Sequence, residues 1–193
     1  MESQREIYRH LRERRDLLTP APHFTWPEIS DGQILITLSP SPRHDFVVHR
    51  ISQQLTRQIN VELIAPTLGD VEDEEKGKLR RPDVIVIPES AFDTDAKGLD
   101  PREILLAVEV VSPNNPENDY EAKLCDYPVM GIPHYLIVDP RDGTCRHHWE
   151  IVEGEGRTRY DAHVPYRFGD LITIGEWTVD TGTLPRYDGT TVR

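Results

Sequence analysis

The clearest strand signal in the sequence is the run Ile104-Leu105-Leu106-Ala107-Val108-Glu109-Val110-Val111. A continuous apolar run, rather than an alternating one, is typical of a strand that is covered on both faces. Val84-Ile85-Val86-Ile87 has the same character, and Tyr135-Leu136-Ile137-Val138 is a third apolar run. These runs predict strands of one sheet, with the first two at its centre.

Two helices are predicted to pack on this sheet. Ser41 can cap a helix whose first position is taken by Pro42, where a missing N–H costs nothing. The helix that follows has one apolar face, since apolar residues recur every four positions at Val47, Ile51, Leu55 and Ile59. A second helix is predicted over 119–129, where Pro128 and Gly131 stop it.

The remaining chain predicts further strands. Residues 28–32 approach a turn at the hairpin-type dipeptide Asp31-Gly32, before a strand at 33–38, and a short strand is predicted at 61–65. The charged run 69–78 predicts a solvated loop or hairpin tip. Antiparallel strands are predicted at 146–152, 158–164 and 171–174. The order predicts an α/β fold, a mixed β-sheet flanked by helices with an antiparallel β-rich C-terminal part.

The first residues predict an appendage to this domain. Residues 2–18 have a helix-favouring composition, with Ile7, Leu11 and Leu18 close to a helical stripe. We therefore expect an N-terminal helical extension at 1–22 and a single domain at 23–193. Charged from its second residue, the chain has no signal-peptide pattern and no apolar run of membrane-spanning length, so we expect a cytoplasmic protein and no membrane partner.

Charge argues against a general nucleic-acid coat protein. The chain has 22 Lys+Arg and 34 Asp+Glu, which gives a net charge of -12. Phosphate binding depends on Lys and Arg, and this balance is strongly acidic. The two cysteines exclude a disulfide-dense scaffold and a four-cysteine zinc site.

Glu109 is the most informative residue, because it is the one ionisable group in its apolar run. A buried carboxylate needs a cation, a metal or a proton to compensate it. Asp83 directly precedes the other central strand, so the two carboxylates converge if the strands are neighbours. Two carboxylates with room for water suit Mg²⁺. The alternative is that Asp83 caps a turn and Glu109 pairs with a Lys or Arg.

Several blocks, in this order, resemble the Uma-two family of putative restriction endonucleases, formerly a domain of unknown function, within the PD-(D/E)xK nuclease superfamily. Each block alone is weak evidence, but together they are specific for the family. They are Glu28 to Gly32, Pro40 to His44, Arg81 to Val86, Val108 to Pro113, Asp119 to Lys123, and Gly131 to Tyr135 with Val138-Asp139-Pro140.

The resemblance implies a restriction-endonuclease-like core that hydrolyses phosphodiester bonds of DNA. Asp83 and Glu109 would hold a divalent ion, Mg²⁺ or Mn²⁺, which polarises the scissile phosphate and lowers the pKa of a bound water. The superfamily lysine expected two residues after Glu109 is Val111 here. Lys123, on the following helix, would take its place near the attacking water, and Glu28 matches a further acidic position.

Each of these assignments has a structural alternative. Lys123 could simply pair with Asp119, one helical turn earlier, and Glu28 could be an exposed turn residue. His44, at the start of the capped helix, could meet a substrate phosphate or be only structural. For a nuclease, Arg43, Arg80 and Arg81 must form a local basic rim. Zinc is disfavoured, since strand alternation sends the neighbouring histidines at 147 and 148 to opposite faces.

Two functions from different classes follow. The first is a Mg²⁺-dependent endonuclease, with hydrolysis of another phosphate ester as a lesser variant. The second is a catalytically inactive nuclease-fold binding or regulatory module, which the net charge of -12 favours. The sequence does not show the oligomeric state, and a homodimer stays open because small nucleases often dimerise to cut both strands.

Overall fold

A mixed sheet forms the centre of the computed structural model, which describes residues 3–67, 69–154 and 156–188. Its six strands lie in the order β10-β9-β8-β7-β6-β3. The strands of these residues, numbered along the chain, are β1 Glu28–Ser30, β2 Gln33–Leu35, β3 Leu63–Ile64, β4 Val71–Asp73, β5 Lys78–Arg80, β6 Val84–Pro88, β7 Leu106–Val110, β8 Tyr135–Asp139, β9 Thr144–Gly154, β10 Arg157–Arg167, β11 Leu171–Ile174 and β12 Trp177–Asp180.

The central strands have the character that the apolar runs predict. Every residue of β7 and β8 is buried, and these two strands run parallel. β6 lies antiparallel to β7, with Val84 opposite Val108. The apolar runs are continuous because helices cover this sheet on both faces.

Helix α2, Pro42–Thr56, covers one face of the sheet. The Ser41 side chain accepts a hydrogen bond from the backbone N–H of His44, which confirms the predicted cap. Three residues of the predicted apolar face pack into the larger core, at Val47, Ile51 and Leu55. The helix ends before Ile59, which still packs against this core and is partly buried.

Helix α3, Lys123–Val129, covers the opposite face. A π-helical turn, Asn118–Ala122, leads into it, so the predicted helix is one segment with two geometries. Its Tyr127 and the following Met130 pack in the second core with residues of β6, β7 and β8. This arrangement confirms the predicted α/β fold with a mixed sheet flanked by helices.

A second sheet has the order β2-β1-β5-β4 and is joined to the first by residues 81–83, between β5 and β6. Asp31 and Gly32 both have positive φ, 50° and 70°, as the predicted two-residue hairpin turn requires. The charged run at 69–78 contains β4 and the turn of the hairpin β4–β5, as expected. The strand predicted over 33–38 is shorter, because β2 ends at Leu35, and Leu38 then forms an isolated bridge with Phe24.

The N-terminal helix α1, Gln4–Asp16, packs against the second sheet with a different face from the one predicted. Tyr8 and Arg15 are 2% and 6% exposed, whereas Ile7 and Leu18 are 38% and 37% exposed. Leu11 of the predicted stripe packs against the core formed by Tyr8, Ile29 and Leu79, whereas Ile7 and Leu18 are exposed, so the stripe is wrong at these two positions. The true stripe includes Arg15, which buries its aliphatic carbons and pairs its charged end with buried partners. A count of apolar residues therefore does not detect this stripe.

The C-terminal part is antiparallel and β-rich, as predicted. β9 and β10 form one long hairpin, and β11 pairs with β12, a strand that the sequence reading missed. This last hairpin adds Ile172, Ile174, Trp177 and Val179 to the core beneath α2. The helices of the described ranges include none long and apolar enough to cross a membrane.

His147 and His148 confirm the expected alternation along β9. The His147 ring contacts His134 across 3.1 Å, whereas His148 stacks near Tyr135 and Tyr160 on the opposite face. Burial lowers the pKa of both histidines to about 4, and neighbouring positive or titrating groups add to this shift. Both are neutral in the folded protein at neutral pH.

These two histidines should destabilise the fold in acid. A histidine in the unfolded chain binds its proton near pH 6.5, while these folded rings bind theirs only near pH 4. Their contribution to stability is present above pH 6.5 and is lost as the pH falls towards 4. We expect His147→Gln and His148→Gln each to flatten the fall in unfolding free energy between pH 7 and 4, measured by urea titration.

The matched control is His49→Gln, since His49 is exposed on α2. Its pH profile should follow that of the wild type. A profile for His147→Gln that runs parallel to the wild type would contradict the buried, neutral state of this ring.

Candidate active site

A cleft of about 560 Å³ opens where β6 begins and β7 ends. It is lined by one residue of β1, the start of α2, the approach to β6, the end of β7 and the segment that leads into α3. Six of the seven residues predicted for the site line it, namely Glu28, His44, Arg81, Asp83, Glu109 and Lys123.

The strand register brings the two predicted carboxylates together. β6 and β7 are antiparallel neighbours, with Val84 opposite Val108. Continuing this register by one residue places Asp83 level with Glu109. The Asp83 carboxylate accepts a hydrogen bond from the backbone N–H of Val110 at 2.8 Å, so it is fixed to the end of β7.

Glu109 lies at the bottom of the cleft and is 1% exposed. The Lys123 ammonium lies 2.7 Å from its Oε2 atom, and the Tyr127 hydroxyl donates to its Oε1 atom. Burial raises the pKa of Glu109 well above its usual range, against the opposing charge of Lys123. The buried carboxylate therefore has the compensating cation that the sequence required.

His44 lies against Asp83 near the mouth of the cleft. Its Nε2 atom is 3.2 Å from the Asp83 carboxylate, and its Nδ1 atom is 3.3 Å from Asp45. Burial acts to lower the pKa of His44, but the hydrogen bonds and charges of these two aspartates outweigh it and the pKa is raised. For Asp83, burial acts to raise the pKa, and His44 outweighs it, so that this carboxylate stays charged.

Glu28 approaches the same site from the second sheet. It is 8% exposed and lies within β1, so the alternative of an exposed turn residue is wrong. Its carboxylate accepts hydrogen bonds from the Arg80 guanidinium at 2.8 Å and from the backbone N–H of Arg81 at 2.9 Å. Burial acts to raise its pKa, but the charges of Lys123 and Arg80 outweigh this and hold the pKa low.

Asp119 is a cleft residue that the sequence reading treated only as a partner for Lys123. It is 5% exposed, lines the cleft, and its Oδ1 atom lies 3.4 Å from the Lys123 ammonium. Burial raises the pKa of Asp119 to about 6, although Lys123 opposes this shift. The spacing of four residues was the available signal, and it indicated the ion pair but not its place in the cleft.

Lys123 therefore contacts both its predicted site partner and its alternative partner. Its ammonium is 2.7 Å from Glu109, 3.4 Å from Asp119 and 3.9 Å from Glu28. Burial acts to lower the pKa of Lys123, but these carboxylates outweigh it and raise the pKa above its usual range. The lysine stays charged at 5% exposure because it lies among carboxylates.

A second layer of buried charge lies behind Glu28. Arg80 is completely buried and joins Glu28 to Asp126, whose Oδ2 atom accepts from Arg80 Nε at 2.7 Å. Lys78 adds a contact of 2.6 Å to Asp126. Arg80 therefore belongs to the interior, and the expectation that it forms part of a basic rim is wrong.

The other two arginines of the expected rim have protein partners. The Arg81 guanidinium lines the cleft but pairs with Asp70. Arg43 lies outside the cleft lining, is exposed, and donates a hydrogen bond to the backbone carbonyl of Tyr187. The structure thus brings Arg81 to the site and leaves Arg43 at its periphery.

The donor set at the bottom of the cleft suits a hard cation, although the described residues form no complete ligand cage. Within residues 3–67, 69–154 and 156–188, no group of three His, Cys, Asp or Glu side chains stands ready to hold a metal ion. Asp83 and Glu109 supply two carboxylates beside open cleft space. Mg²⁺ typically takes one or two carboxylates and completes its shell with water and substrate oxygens, so these two residues fit it.

Comparison with known proteins gives a family match and a similar fold. The sequence matches the Uma2 family, described as "Putative restriction endonuclease", over residues 19–174. The fold is similar to the crystal structure of a putative nuclease belonging to DUF820 from Anabaena variabilis ATCC 29413. The TM-score is 0.65 at 14% identity, with 95% of this chain and 97% of that chain covered. No curated protein gives a significant match.

The mixed sheet and its acidic cleft define the class as restriction-endonuclease-like α/β proteins. The chain belongs to the Uma2 family, because the matched segment spans most of its length. The resemblance carried by the sequence blocks is thereby confirmed, and the family supports a nuclease that acts on nucleic acid.

Arg80 provides a stability test of the charge layer behind the site. We expect Arg80→Met to lower the unfolding free energy by about 3–5 kcal/mol, because it leaves buried carboxylates of Glu28 and Asp126 without their shared cation. Urea unfolding monitored by circular dichroism measures this loss. Arg57→Met is the control, since Arg57 is exposed, and should change stability by no more than about 0.5 kcal/mol. Equal stability of the two variants would contradict the role of Arg80.

Proposed function

We propose that this protein is a divalent-metal-dependent endonuclease that hydrolyses phosphodiester bonds of DNA. The observation that carries the proposal is the convergence of Asp83, Glu109, Lys123 and Glu28 in one cleft, from four separate segments of the chain. An apolar side chain would fill the same space at a lower cost in free energy than a buried lysine among carboxylates, so packing alone does not explain this lysine. Such a cluster in a cleft is the pattern expected of a functional site.

Asp83 and Glu109 would hold the ion, which we expect to be Mg²⁺ or Mn²⁺. When bound there, the ion supplies Lewis-acid chemistry, polarising the scissile phosphate and lowering the pKa of a coordinated water. The hydrogen bond from the N–H of Val110 fixes the Asp83 carboxylate at the end of β7. Tyr127 does the same for Glu109 from the protein interior.

Lys123 would act at the attacking water and on the charge that develops on the phosphate. Its ammonium is held by Glu109 and Asp119, so it needs no reorganisation to present a positive charge there. Glu28 would assist from 3.9 Å, as a further carboxylate beside this ammonium. We propose Asp119 as a positioning residue for the same lysine.

The start of α2 is proposed to receive a substrate phosphate. His44 lies within the first turn of this helix, where the positive end of the helix dipole favours an anion. Its raised pKa increases the cationic fraction of the ring near neutral pH. Arg81, and Arg43 further out, are proposed as additional phosphate contacts. A homodimer is the assembly expected if both strands of a duplex are cut.

Glu109→Gln tests the proposed activity while keeping the size of the side chain. We expect cleavage of supercoiled plasmid DNA in Mg²⁺ or Mn²⁺ to fall by at least about 100-fold, since the neutral amide loses the charge that holds the ion. The conversion to nicked and linear plasmid is measured on agarose gels. Circular dichroism and thermal unfolding confirm that the variant folds.

Glu121→Gln is the matched control, because Glu121 precedes Lys123 by two residues but is exposed. It should cut like the wild type. Equal cutting by Glu109→Gln and the wild type would identify a contaminating nuclease and overturn the proposal.

A catalytically inactive binding or regulatory module is the second candidate. It is favoured by the contact of Lys123 with Glu109, which already neutralises a proposed metal ligand, and by the net charge of -12. Calorimetric titration of Mg²⁺ and Mn²⁺ into the wild type distinguishes the two. Binding that is weakened by Asp83→Asn supports the endonuclease, whereas a folded wild type that binds neither ion supports the module.

A further inference from the structure

One wall of the cleft is an exposed apolar ribbon that the proposed chemistry does not use. We define this apolar ribbon as residues 24–26 and 36–38, which run side by side with a backbone hydrogen bond of 2.8 Å from Thr25 to Thr37. Its four large side chains all line the cleft and are 42–51% exposed. They are Phe24, Trp26, Ile36 and Leu38. A continuous apolar surface of this kind beside a site marks a place of contact.

Trp26 is held as a rigid platform within this ribbon. The Arg15 guanidinium lies over the Trp26 ring, 5.6 Å from its centroid. Arg15 is itself fixed, since its Nε atom donates to the carbonyl of Pro27 at 3.0 Å and its Nη2 atom lies 2.7 Å from Asp70. The indole is 47% exposed, and its contact with Arg15 holds the orientation of the ring. A flat partner can therefore stack on it at little cost in side-chain entropy.

The segment that leads from β7 to α3 lines the cleft with Asp119 and with four polar, uncharged side chains, which we call the amide wall. All four can donate or accept hydrogen bonds. They are Ser112, Asn114, Asn115 and Asn118. Amide groups match the mixed donors and acceptors on the edges of nucleobases. A cleft that combines an apolar surface with amide groups therefore suits a base, whose faces are apolar and whose edges are polar.

The cleft is poorly equipped to follow a duplex by its phosphates. Among the described residues that line it, Arg81 and Lys123 are the only Lys or Arg side chains. The first pairs with Asp70 and the second with Glu109. Duplex binding without base contacts depends on several free cations that neutralise phosphates. Binding to unpaired strands instead obtains much of its affinity from aromatic stacking.

We propose that the cleft binds unpaired nucleotides, with bases stacked on Trp26 and Phe24 and with base edges facing the amide wall. The inference rests on the proposed function and names its substrate class, a single-stranded segment whose backbone passes the carboxylates. Bases inside a duplex are covered by their neighbours and cannot reach these rings. A single copy of the chain is sufficient for such a substrate.

Binding can be measured without cleavage. A fluorescein-labelled 12-nucleotide DNA of mixed sequence and its duplex are titrated with the full chain in Ca²⁺, with anisotropy as the readout and gels confirming intact oligonucleotide. We expect the single strand to bind at least about 10-fold more tightly than the duplex. Trp26→Leu should weaken single-strand binding by about 5- to 150-fold, the effect of losing one stacked base.

Two further variants separate stacking from general damage to the fold. Trp26→Phe keeps an aromatic face and should retain most of the affinity, while losing the quenching of tryptophan fluorescence that stacking causes. Phe92→Leu is the matched control, because Phe92 is 45% exposed but follows the opposite end of β6. It should bind like the wild type. Thermal unfolding checks that each variant folds.

Several outcomes would overturn the inference. Equal binding of single strand and duplex would do so, as would unchanged single-strand affinity in Trp26→Leu. Trp26→Leu that converts a dimer into monomers by light scattering, with no change in oligonucleotide affinity, would identify the apolar ribbon as an interface between copies. A ribonucleotide strand of the same sequence identifies the source: tighter DNA binding assigns DNA, tighter RNA binding assigns RNA, and equal binding assigns the shared base chemistry.

The inference and the proposed function can fail separately. Single-strand binding that depends on Trp26, in a protein that cuts neither plasmid nor single-stranded DNA, would support the inference and overturn the endonuclease. Cleavage that depends on Glu109, with single-strand binding that ignores Trp26, would do the opposite.

Discussion

The Lys123 ammonium, buried among carboxylates, is the interaction on which the cleft depends. It lies 2.7 Å from Glu109 and 3.4 Å from Asp119, and Glu28 is 3.9 Å away. Without this charge the three carboxylates would repel one another in a medium of low dielectric constant. The free energy of burying one lysine is offset by several partners at once, which a single ion pair rarely achieves.

This charge also connects the two sheets of the molecule. Glu28 belongs to the second sheet, whereas Glu109 belongs to the central strand of the first. The chain itself passes between these sheets at Arg81 and Pro82, directly before Asp83. The site therefore lies at the junction of the sheets, and its geometry depends on how Arg80 and the backbone of Arg81 hold Glu28 in place.

The sequence predicted the centre of this arrangement because its signals are local. A single Glu in an apolar run must be compensated, and a strand partner that begins just after an Asp brings that Asp close. Which of Arg80 and Arg81 is buried and which lines the cleft could not be predicted in this way. They are adjacent, but strand alternation turns the first into the interior and leaves the second in the cleft. Only the packing of the second sheet decides which is which.

Other differences have similar physical causes. The stripe of α1 was misread because its buried face includes Arg15, whose charge is satisfied by Asp70 and by a backbone carbonyl. The strand β12 was missed because its burial comes from packing beneath α2 rather than from an apolar run like that of β11. Asp119 showed a helical spacing to Lys123, but its burial depends on the π-helical turn that precedes α3. In each case tertiary contacts, rather than local pattern, decide the outcome.

Arg15 lies against the Trp26 ring, so substitutions in α1 and substitutions in the acidic centre affect different parts of the cleft. The segment shared with the Uma2 family begins at residue 19, so α1 lies outside it, yet α1 supplies the cation under one wall of the cleft. The partners described for Asp83 and Glu109 include none from α1. Substitutions in this helix would therefore change which molecules fit against the Trp26 wall of the cleft. The acidic centre, which lies within the shared segment, would stay intact.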